Sequence, residues 1–328
     1  MRRSAPREGS PRVGHPAARP PGTTPDGAKP FASTVGGVDV ALAIDIGGTK
    51  LAAGRVTADG ELVRSAAAPT PTASDAEAVF DAVLALIETV EPGAPGSAER
   101  VVACGVGCGG PMTAGGEAVS PLNIGAWRDF PLRARLNAST GLPTFVDNDA
   151  KALALGEGWK GAATGARDFI AMVVSTGVGG GIVLDGRLLD GAGGNAGHIG
   201  HVVVEPDGRP CVCGGRGCLE AEASGPSIAA ATGRPAMEAG PEVVARAGRL
   251  VGLAVASVAN LLDLSLAVVA GSVALGFGAP FFAAAQNELD ARARLDFSRG
   301  ARIVPAGLGR DGPLVGAAAV GWRGVGRL

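Results

Sequence analysis

From residue 38 onwards, apolar and polar residues alternate with the periods of strands and helices. Residues 38–48 form an apolar run that ends at a glycine pair, as expected of a buried strand followed by a turn. Residues 49–57 and 61–67 continue as extended chain, so the three segments predict an antiparallel meander. A similar order of strand, glycine turn and strand recurs over residues 169–189. We therefore expect two related halves that face each other across a cleft.

Two further segments have the helical period. Apolar residues recur at helical spacing over residues 74–90, with Ser74 as the expected N-cap, and a longer helix is expected over residues 242–262. A buried strand over residues 100–107 follows the first helix, and residues 145–159 are typical of a strand end that runs into a helix.

The glycine turns of the two meanders have the composition of phosphate-binding turns. Glycine lets backbone N–H groups approach phosphate oxygens without interference from a Cβ atom. Asp45, at the end of the first strand, has a carboxylate that can hold Mg²⁺ or its water ligands. The alternative is that the glycines only join strands. A G-x-G-x-x-G pattern over residues 105–110 follows a strand, but no helical period follows it, which argues against a dinucleotide site.

Composition and charge narrow the partners. The chain has 328 residues and a formal net charge of -2, so its overall charge favours neither nucleic acid nor a membrane surface. It has no uncharged apolar run of about 18 residues, the length that spans a bilayer. Residues 1–37 are rich in proline and arginine and are expected to be a disordered tail, with binding to an acidic partner as the alternative. These features predict a cytoplasmic protein that acts on a small molecule.

Residues 198–220 hold two of the three histidines and three of the five cysteines. An odd number of clustered cysteines, in a chain without an export signal, favours free thiols or a metal over structural disulfides. A metal site, a redox pair and unliganded cysteines all remain possible from composition alone.

Four motifs occur in a characteristic order: DIGGTK at 45–50, VDNDA at 146–150, STGVGGGI at 175–182 and CVCGGRGCLE at 211–220. With them the chain resembles the ROK family of sugar kinases and repressors, in the actin and hexokinase-like superfamily. The resemblance extends from about residue 38 to the C-terminus. It implies an α/β fold with two ribonuclease H-like lobes around a central cleft, at residues 38–147 and 148–312. The helix at about 313–328 would pack back on the first lobe.

The resemblance also implies roles for individual residues. Asp149 would be the general base that takes the proton of the acceptor hydroxyl; without the family, it is equally a helix N-terminal residue favoured by the dipole. Trp127 would match a tryptophan near the sugar, but it is also typical of a core residue. The implied sugar-binding residues are Gly110, Asn123, Asn148, His198, His201 and Glu220. The implied residues for ATP and its phosphates are Asp45, Gly47, Gly48, Thr49, Lys50, Thr176, Gly177, Gly179 and Gly271.

The clustered cysteines resemble the zinc loop of many ROK proteins. The implied ligands are His201, Cys211, Cys213 and Cys218. Three thiolates and one imidazole complete a tetrahedral Zn²⁺ site without an open position, so the metal would be structural.

Two residues depart from the family pattern. His198 stands where the sugar-binding segment normally has glutamate. A glutamate accepts two hydrogen bonds at once, whereas a neutral imidazole accepts one and donates one, so glucose cannot be assumed as the substrate. Lys151 stands where many relatives have asparagine. It is expected either to lower the pKa of Asp149 or contact an anionic group, or to be a solvated helix lysine.

We therefore predict ATP-dependent phosphorylation of a hexose or an N-acylated hexosamine, with ATP, Mg²⁺ and structural Zn²⁺ as cofactors and a homodimer or homotetramer as the assembly. One alternative is a catalytically silent sugar-sensing protein on the same fold. A transcriptional regulator is disfavoured, because only the Pro/Arg-rich tail precedes the first strand and it has no helical period for a DNA-binding domain.

Overall fold

The computed structural model describes residues 37–72, 75–91 and 99–328. The predicted tail lies outside these residues apart from Gly37, and Ser74 lies outside them as well. The first helix begins at Ala76, and its N-cap is Asp75, whose carboxylate accepts a hydrogen bond from the Glu77 backbone N–H at 3.0 Å. The N-cap predicted at Ser74 is therefore wrong by one residue, because the aspartate next to it satisfies the free N–H groups of the first turn.

The first sheet has the strand order β3-β2-β1-β4-β5. Its strands are β1 (Val38–Ile46), β2 (Lys50–Thr57), β3 (Leu62–Pro69), β4 (Glu99–Cys108) and β5 (Thr144–Asn148). β1, β2 and β3 pair antiparallel, whereas β4 is parallel to both β1 and β5. The predicted meander is confirmed.

The second sheet repeats this plan with the order β10-β9-β6-β7-β8. Its strands are β6 (Phe169–Val174), β7 (Val178–Leu184), β8 (Arg187–Leu188), β9 (Leu266–Ala270) and β10 (Arg302–Pro305). β6, β7 and β8 pair antiparallel, and β9 is parallel to β6 and β10. Two related α/β halves are thus present, as the repeated pattern predicts.

Helices cover the faces of both sheets. They are α1 (Ala76–Thr89), α2 (Leu132–Thr140), α3 (Asp149–Lys160), α4 (Leu219–Ala223), α5 (Gly225–Thr232), α6 (Pro241–Leu262), α7 (Ser272–Phe277), α8 (Ala279–Arg292) and α9 (Gly312–Gly324). Single 3₁₀ turns occur at Ala114–Gly116, Ile199–His201, Ala236–Glu238 and Gly309–Asp311. Within the described part of the chain, none of these helices has the length and apolar character to cross a membrane.

The alternation of side chains along β1 decides which helices pack on which face. Leu42 and Ile44 belong to the core that includes α1, whereas Ala41 and Ala43 belong to the core that includes α9. Small residues are needed on the second face because α9 approaches closely: a Cβ placed on Gly105 would lie 2.0 Å from the Ala317 carbonyl oxygen.

Helix α3 joins the two halves. It begins directly after β5, packs on β6 and β7, and lies against α9, which itself packs on β1 and β4. The two helices touch at glycines, since a Cβ on Gly156 would lie 2.9 Å from the Gly316 Cα. The chain from Gly37 to Leu328 forms one compact unit. The lobe limits near residues 147 and 312 therefore stay predictions.

Candidate active site

Several of the predicted site residues meet at the amino terminus of α3. Asn148 ends β5 and caps the helix, with its side-chain oxygen accepting a hydrogen bond from the Ala150 N–H at 3.1 Å. Asp149 is the first helical residue, and its Oδ1 accepts from the same N–H at 2.8 Å. The side chain of Asp149 is nevertheless exposed. A strand end and a helix start therefore present a carboxylate to solvent at the positive end of the helix dipole.

Asp45 and Asp149 both lie close to Gly107. A Cβ on Gly107 would be 3.7 Å from Asp45 Oδ1 and 3.5 Å from the Asp149 Cα. Burial, and secondly the charge of Asp149, raise the pKa of Asp45 to about 7, while Lys50 acts in the opposite direction. Restricted hydration raises the pKa of Asp149 as well, against the effects of the Ala150 N–H and of His198. Two neighbouring carboxyl groups of this kind can share a proton or neutralise a cation.

Three of the predicted sugar-binding residues come together beside this pair. A Cβ on Gly110 would lie 3.3 Å from the Asn148 side-chain nitrogen and 3.6 Å from the His198 ring. Burial, and then the nearby His201, lower the pKa of His198. Both effects favour the neutral imidazole, which offers one donor and one acceptor.

Asn123 lies against the turn between β1 and β2. A Cβ on Gly48 would approach the Asn123 Cβ to 2.3 Å, and a cavity of about 420 Å³ is lined by Gly48, Asn123 and Thr70 among others. Trp127 lies elsewhere: it is fully buried, stacks on Phe130 at 4.4 Å between ring centroids, and donates its indole N–H to a backbone carbonyl of α1. Trp127 is thus a core residue of the first half.

The two glycine turns close as expected for tight hairpins. Gly47 N donates to Lys50 O at 3.0 Å, with Thr49 and Lys50 exposed, and Ser175 N donates to Gly177 O at 2.9 Å, with Thr176 exposed.

Gly271 reaches the second turn from β9. It has a φ of 101°, and a Cβ there would be 2.3 Å from the Val174 carbonyl oxygen, so only glycine fits. Gly179 instead contacts α3, since its Cβ would be 3.1 Å from that of Ala150. The structure therefore places Gly271 at the second turn and Gly179 at the start of α3.

Glu220 connects the second turn to the cysteine loop. Its Oε2 accepts a hydrogen bond from the Val178 N–H at 2.8 Å, directly after Gly177. Glu220 lies in the first turn of α4, and Cys218 is the N-cap of that helix. One carboxylate therefore links the helix that follows the cysteine loop to the second turn.

The predicted zinc ligands converge. One ligand atom from each of His201, Cys211, Cys213 and Cys218 lies within 4.8 Å of all the others. Cys211 Sγ is 3.7 Å from His201 Nδ1, and Cys213 Sγ is 3.8 Å from Cys218 Sγ. Zinc–sulfur bonds of about 2.3 Å in a tetrahedron put two sulfurs roughly 3.8 Å apart, so donor types and spacing fit zinc.

Lys151 is not a solvated helix lysine. It is 2 % exposed, and its ammonium group lies 3.0 Å from Asp147 Oδ1 and 2.8 Å from Asp190 Oδ1. That alternative is therefore wrong. The carboxylate that Lys151 influences is Asp147, whose pKa burial raises and Lys151 lowers. The contact with Asp190 was not predictable from the sequence, because Asp190 begins a glycine-rich stretch that has neither a strand nor a helix period.

Comparison with known proteins finds relatives with the same architecture. The ROK family profile matches residues 41–322. The N-acetylmannosamine kinase of Citrobacter koseri is 39% identical over 254 residues, which are 72% of this chain and 84% of that protein. A ROK family glucokinase from Streptomyces griseus, solved with glucose and AMPPNP, has a TM-score of 0.75 and 31% identity over 87% of this chain and 99% of its own. A ROK hexokinase from Thermus thermophilus has a TM-score of 0.73 and 34% identity over 88% and 99%.

Two sheets, each an antiparallel meander extended by parallel strands, with carboxylates where α3 begins, define the class of actin- and hexokinase-like kinases. Within that class, the chain belongs to the ROK family. The predicted enzyme class, an ATP-dependent sugar kinase, is confirmed.

Proposed function

We propose that this protein is an N-acetylmannosamine kinase, which transfers the γ-phosphoryl group of ATP to a hydroxyl of that sugar. The observation that carries the proposal is the convergence of Gly110, Asn148, Asp149 and His198 at the start of α3. The 39% identity to N-acetylmannosamine kinases, over 84% of their length, supports the choice of sugar.

Asp149 is the proposed general base. It is exposed at the helix terminus, and its raised pKa makes its carboxylate a stronger proton acceptor than an ordinary aspartate. Asn148 orients it by capping the same helix. Phosphoryl transfer needs mainly an oriented hydroxyl and neutralised phosphate charge. The β1–β2 and β6–β7 turns would supply backbone N–H groups to the phosphates, and Asp45 would hold Mg²⁺ or its waters, which supplies charge neutralisation.

His198 is the proposed specificity residue. A neutral imidazole both donates and accepts a hydrogen bond, whereas the carboxylate normal at this position only accepts. An acetamido group carries one N–H donor and one carbonyl acceptor, so its hydrogen-bonding capacity matches that of His198. Gly110 leaves room beside the ring, because a Cβ there would be 3.6 Å from it.

His201, Cys211, Cys213 and Cys218 would hold a structural Zn²⁺. Four protein ligands leave no position for a catalytic water. The metal would fix the start of α4 and, through Glu220, the β6–β7 turn. Elemental analysis should find one zinc per chain, and Cys213→Ser should lower both the zinc content and the unfolding temperature. A wild-type protein purified in the presence of zinc that holds none would contradict this proposal.

The decisive experiment measures ADP release with Mg²⁺-ATP and a panel of N-acetylmannosamine, N-acetylglucosamine, mannose and glucose. N-acetylmannosamine should give the highest kcat/KM. A preference for glucose would overturn the proposed sugar and leave the enzyme class intact. A folded protein that binds ATP and turns over none of the sugars would favour the silent sensor. A cytoplasmic location and a homodimer or homotetramer stay predictions.

A further inference from the structure

We infer that Lys151 is a positioning residue: it anchors the loop of residues 190–197 to helix α3 and thereby places His198 in the sugar pocket. The inference rests on the proposed function, because the role of His198 toward the sugar is proposed there. Lys151 does not need to touch the sugar for this role.

Each of the three ammonium protons of Lys151 has an acceptor within reach. Its Nζ lies 3.0 Å from Asp147 Oδ1, 2.8 Å from Asp190 Oδ1 and 3.2 Å from the Gly194 carbonyl oxygen. Asp147 belongs to β5, which leads into Asn148 and Asp149, whereas Asp190 and Gly194 belong to the loop. Because a buried ammonium group is costly to leave unpaired, these contacts define one position for the loop relative to α3.

The 190–197 loop has little else in its composition to hold it in one conformation. Four of its eight residues are glycines, at positions 191, 193, 194 and 197. Glycine loses more conformational entropy than other residues when it is ordered, so such a loop needs anchors. One anchor is internal, since the Ala196 N–H donates to the Asp190 carbonyl at 3.0 Å. Gly197, at the end of the loop, packs on β7, since a Cβ there would lie 2.2 Å from the Gly180 carbonyl oxygen. Lys151 supplies the anchor to α3.

The opposite side of the loop is bound to the first half. Asn195 accepts a hydrogen bond from the Met112 N–H at 3.3 Å and donates one to the Met112 carbonyl at 3.1 Å. Met112 lies two residues after Gly110, and His198 directly follows the loop. The loop therefore links α3, the Gly110 segment and His198, which are the three parts that meet at the sugar pocket.

The test removes the anchor without leaving a buried charge. Lys151→Met alone would strand the Asp147 carboxylate, so the informative protein is the double variant Asp147→Asn with Lys151→Met. We expect its KM for N-acetylmannosamine to rise about tenfold, because small displacements of binding groups are costly, with the KM for ATP within about twofold of wild type. Amide hydrogen exchange over residues 190–198 should be faster. Lys160→Met, at the exposed far end of α3, is the matched control and should change neither quantity.

The outcomes separate this inference from the proposed function. Wild-type KM for the sugar and unchanged exchange over residues 190–198 in the double variant would overturn it, leaving Lys151 as only a counter-ion of Asp147. If the wild type does not phosphorylate N-acetylmannosamine, the proposed function fails, and hydrogen exchange still decides the anchor. As a second variant, Asn195→Ala should raise the sugar KM in the same direction, since it removes both bonds to Met112.

Discussion

The two ends of helix α3 carry the same chemical group in opposite settings. Asp149, at the amino end, is exposed, and the described structure gives it one backbone hydrogen bond, from Ala150. Glu157, at the carboxyl end, is 0 % exposed and accepts backbone hydrogen bonds from Ala162 at 2.7 Å, Gly307 at 3.0 Å and Leu308 at 3.1 Å. One carboxylate is committed to the fold, and the other retains capacity for a substrate.

The two carboxylates carry the same charge and differ in their hydrogen-bond partners, which separates the structural carboxylate of Glu157 from the proposed base. Three N–H donors occupy the carboxylate oxygens of Glu157, and two of them, from Gly307 and Leu308, connect α3 to the segment before α9. Asp149 has a raised pKa instead, because the protein restricts its hydration without supplying equivalent donors. A group in that state gains more by accepting a proton from a bound hydroxyl.

The largest expected effect is on kcat and follows from removing the carboxylate of Asp149, the proposed base. Asp149→Asn should lower kcat by about 10²–10⁴-fold, the usual contribution of a general base. The variant should stay folded, because asparagine is well tolerated at helix starts. Steady-state ADP release and thermal unfolding, measured on the same preparation, check both statements. A loss of less than about tenfold would mean that Asp149 is not the base.

Removing the Glu157 carboxylate should lower stability and leave kcat nearly unchanged. Glu157→Gln places an amide NH₂ against backbone donors and leaves at least one buried N–H unpaired, so the free energy of unfolding should fall by roughly 2–3 kcal/mol. At temperatures where it is folded, kcat should stay within about twofold of wild type. Urea unfolding measures the first quantity. Glu242→Gln, on the exposed first turn of α6, is the control and should lower stability by less than about 1 kcal/mol, the size of a helix-dipole interaction. Equal stability of the two variants would contradict the role of Glu157.

The pH dependence of kcat should report the ionisation of Asp149. A base must be deprotonated, so kcat should fall about tenfold per pH unit below the folded pKa of Asp149. That pKa lies above the ordinary 3.8. The acid limb of the profile should therefore lie above 3.8, and should be absent from the residual activity of Asp149→Asn.

The raised pKa of Asp45 should make the stability of the protein depend on pH. Its folded pKa of about 7 exceeds its ordinary value of 3.8, so the stability it contributes is complete below 3.8 and is lost as pH rises through about 7. Asp149→Asn removes the neighbouring charge and should reduce that loss. Unfolding temperatures of the metal-free proteins, compared between about pH 4 and 8, should diverge towards the alkaline end, with the variant the more stable. Parallel curves would show that the two carboxyls do not interact.

The smallest expected effect is on the preference between sugars, and it follows from placing a carboxylate at position 198, near the start of α3. His198→Glu should shift the ratio of kcat/KM values from N-acetylmannosamine towards glucose by about tenfold, because the acetamido donor and acceptor lose their matched partner. The added charge should also raise the pKa of Asp149 and move the acid limb to higher pH. An unchanged sugar ratio would remove His198 from the specificity of the pocket.

Part of this site was predictable because its elements are local. The apolar run along residues 38–48 predicts a buried strand and the helical period over 242–262 predicts an amphipathic helix, and the structure forms a strand and a helix there. The cysteine spacing likewise placed four donors within one short segment, and they converge. The N-cap of α1 was missed by one residue because two adjacent residues, Ser74 and Asp75, both suit that position.

The pairs that act between segments were not predictable in this way. Asp45 and Asp149 are 104 residues apart and meet only because β1, β4 and β5 run parallel and end at the same edge. Lys151 meets Asp190, and Asn195 meets Met112, through the order in which the two sheets are connected.

The sequence by itself determined the two meanders, the helices α1, α3 and α6, the glycine turns and the candidate metal donors, because local period and residue type specify them. Only the tertiary structure decided that Lys151 is buried, that Trp127 belongs to the core, and that Glu157 rather than Asp149 is saturated with hydrogen bonds. The physical reason is that burial and pairing of polar groups depend on neighbours brought in from distant parts of the chain.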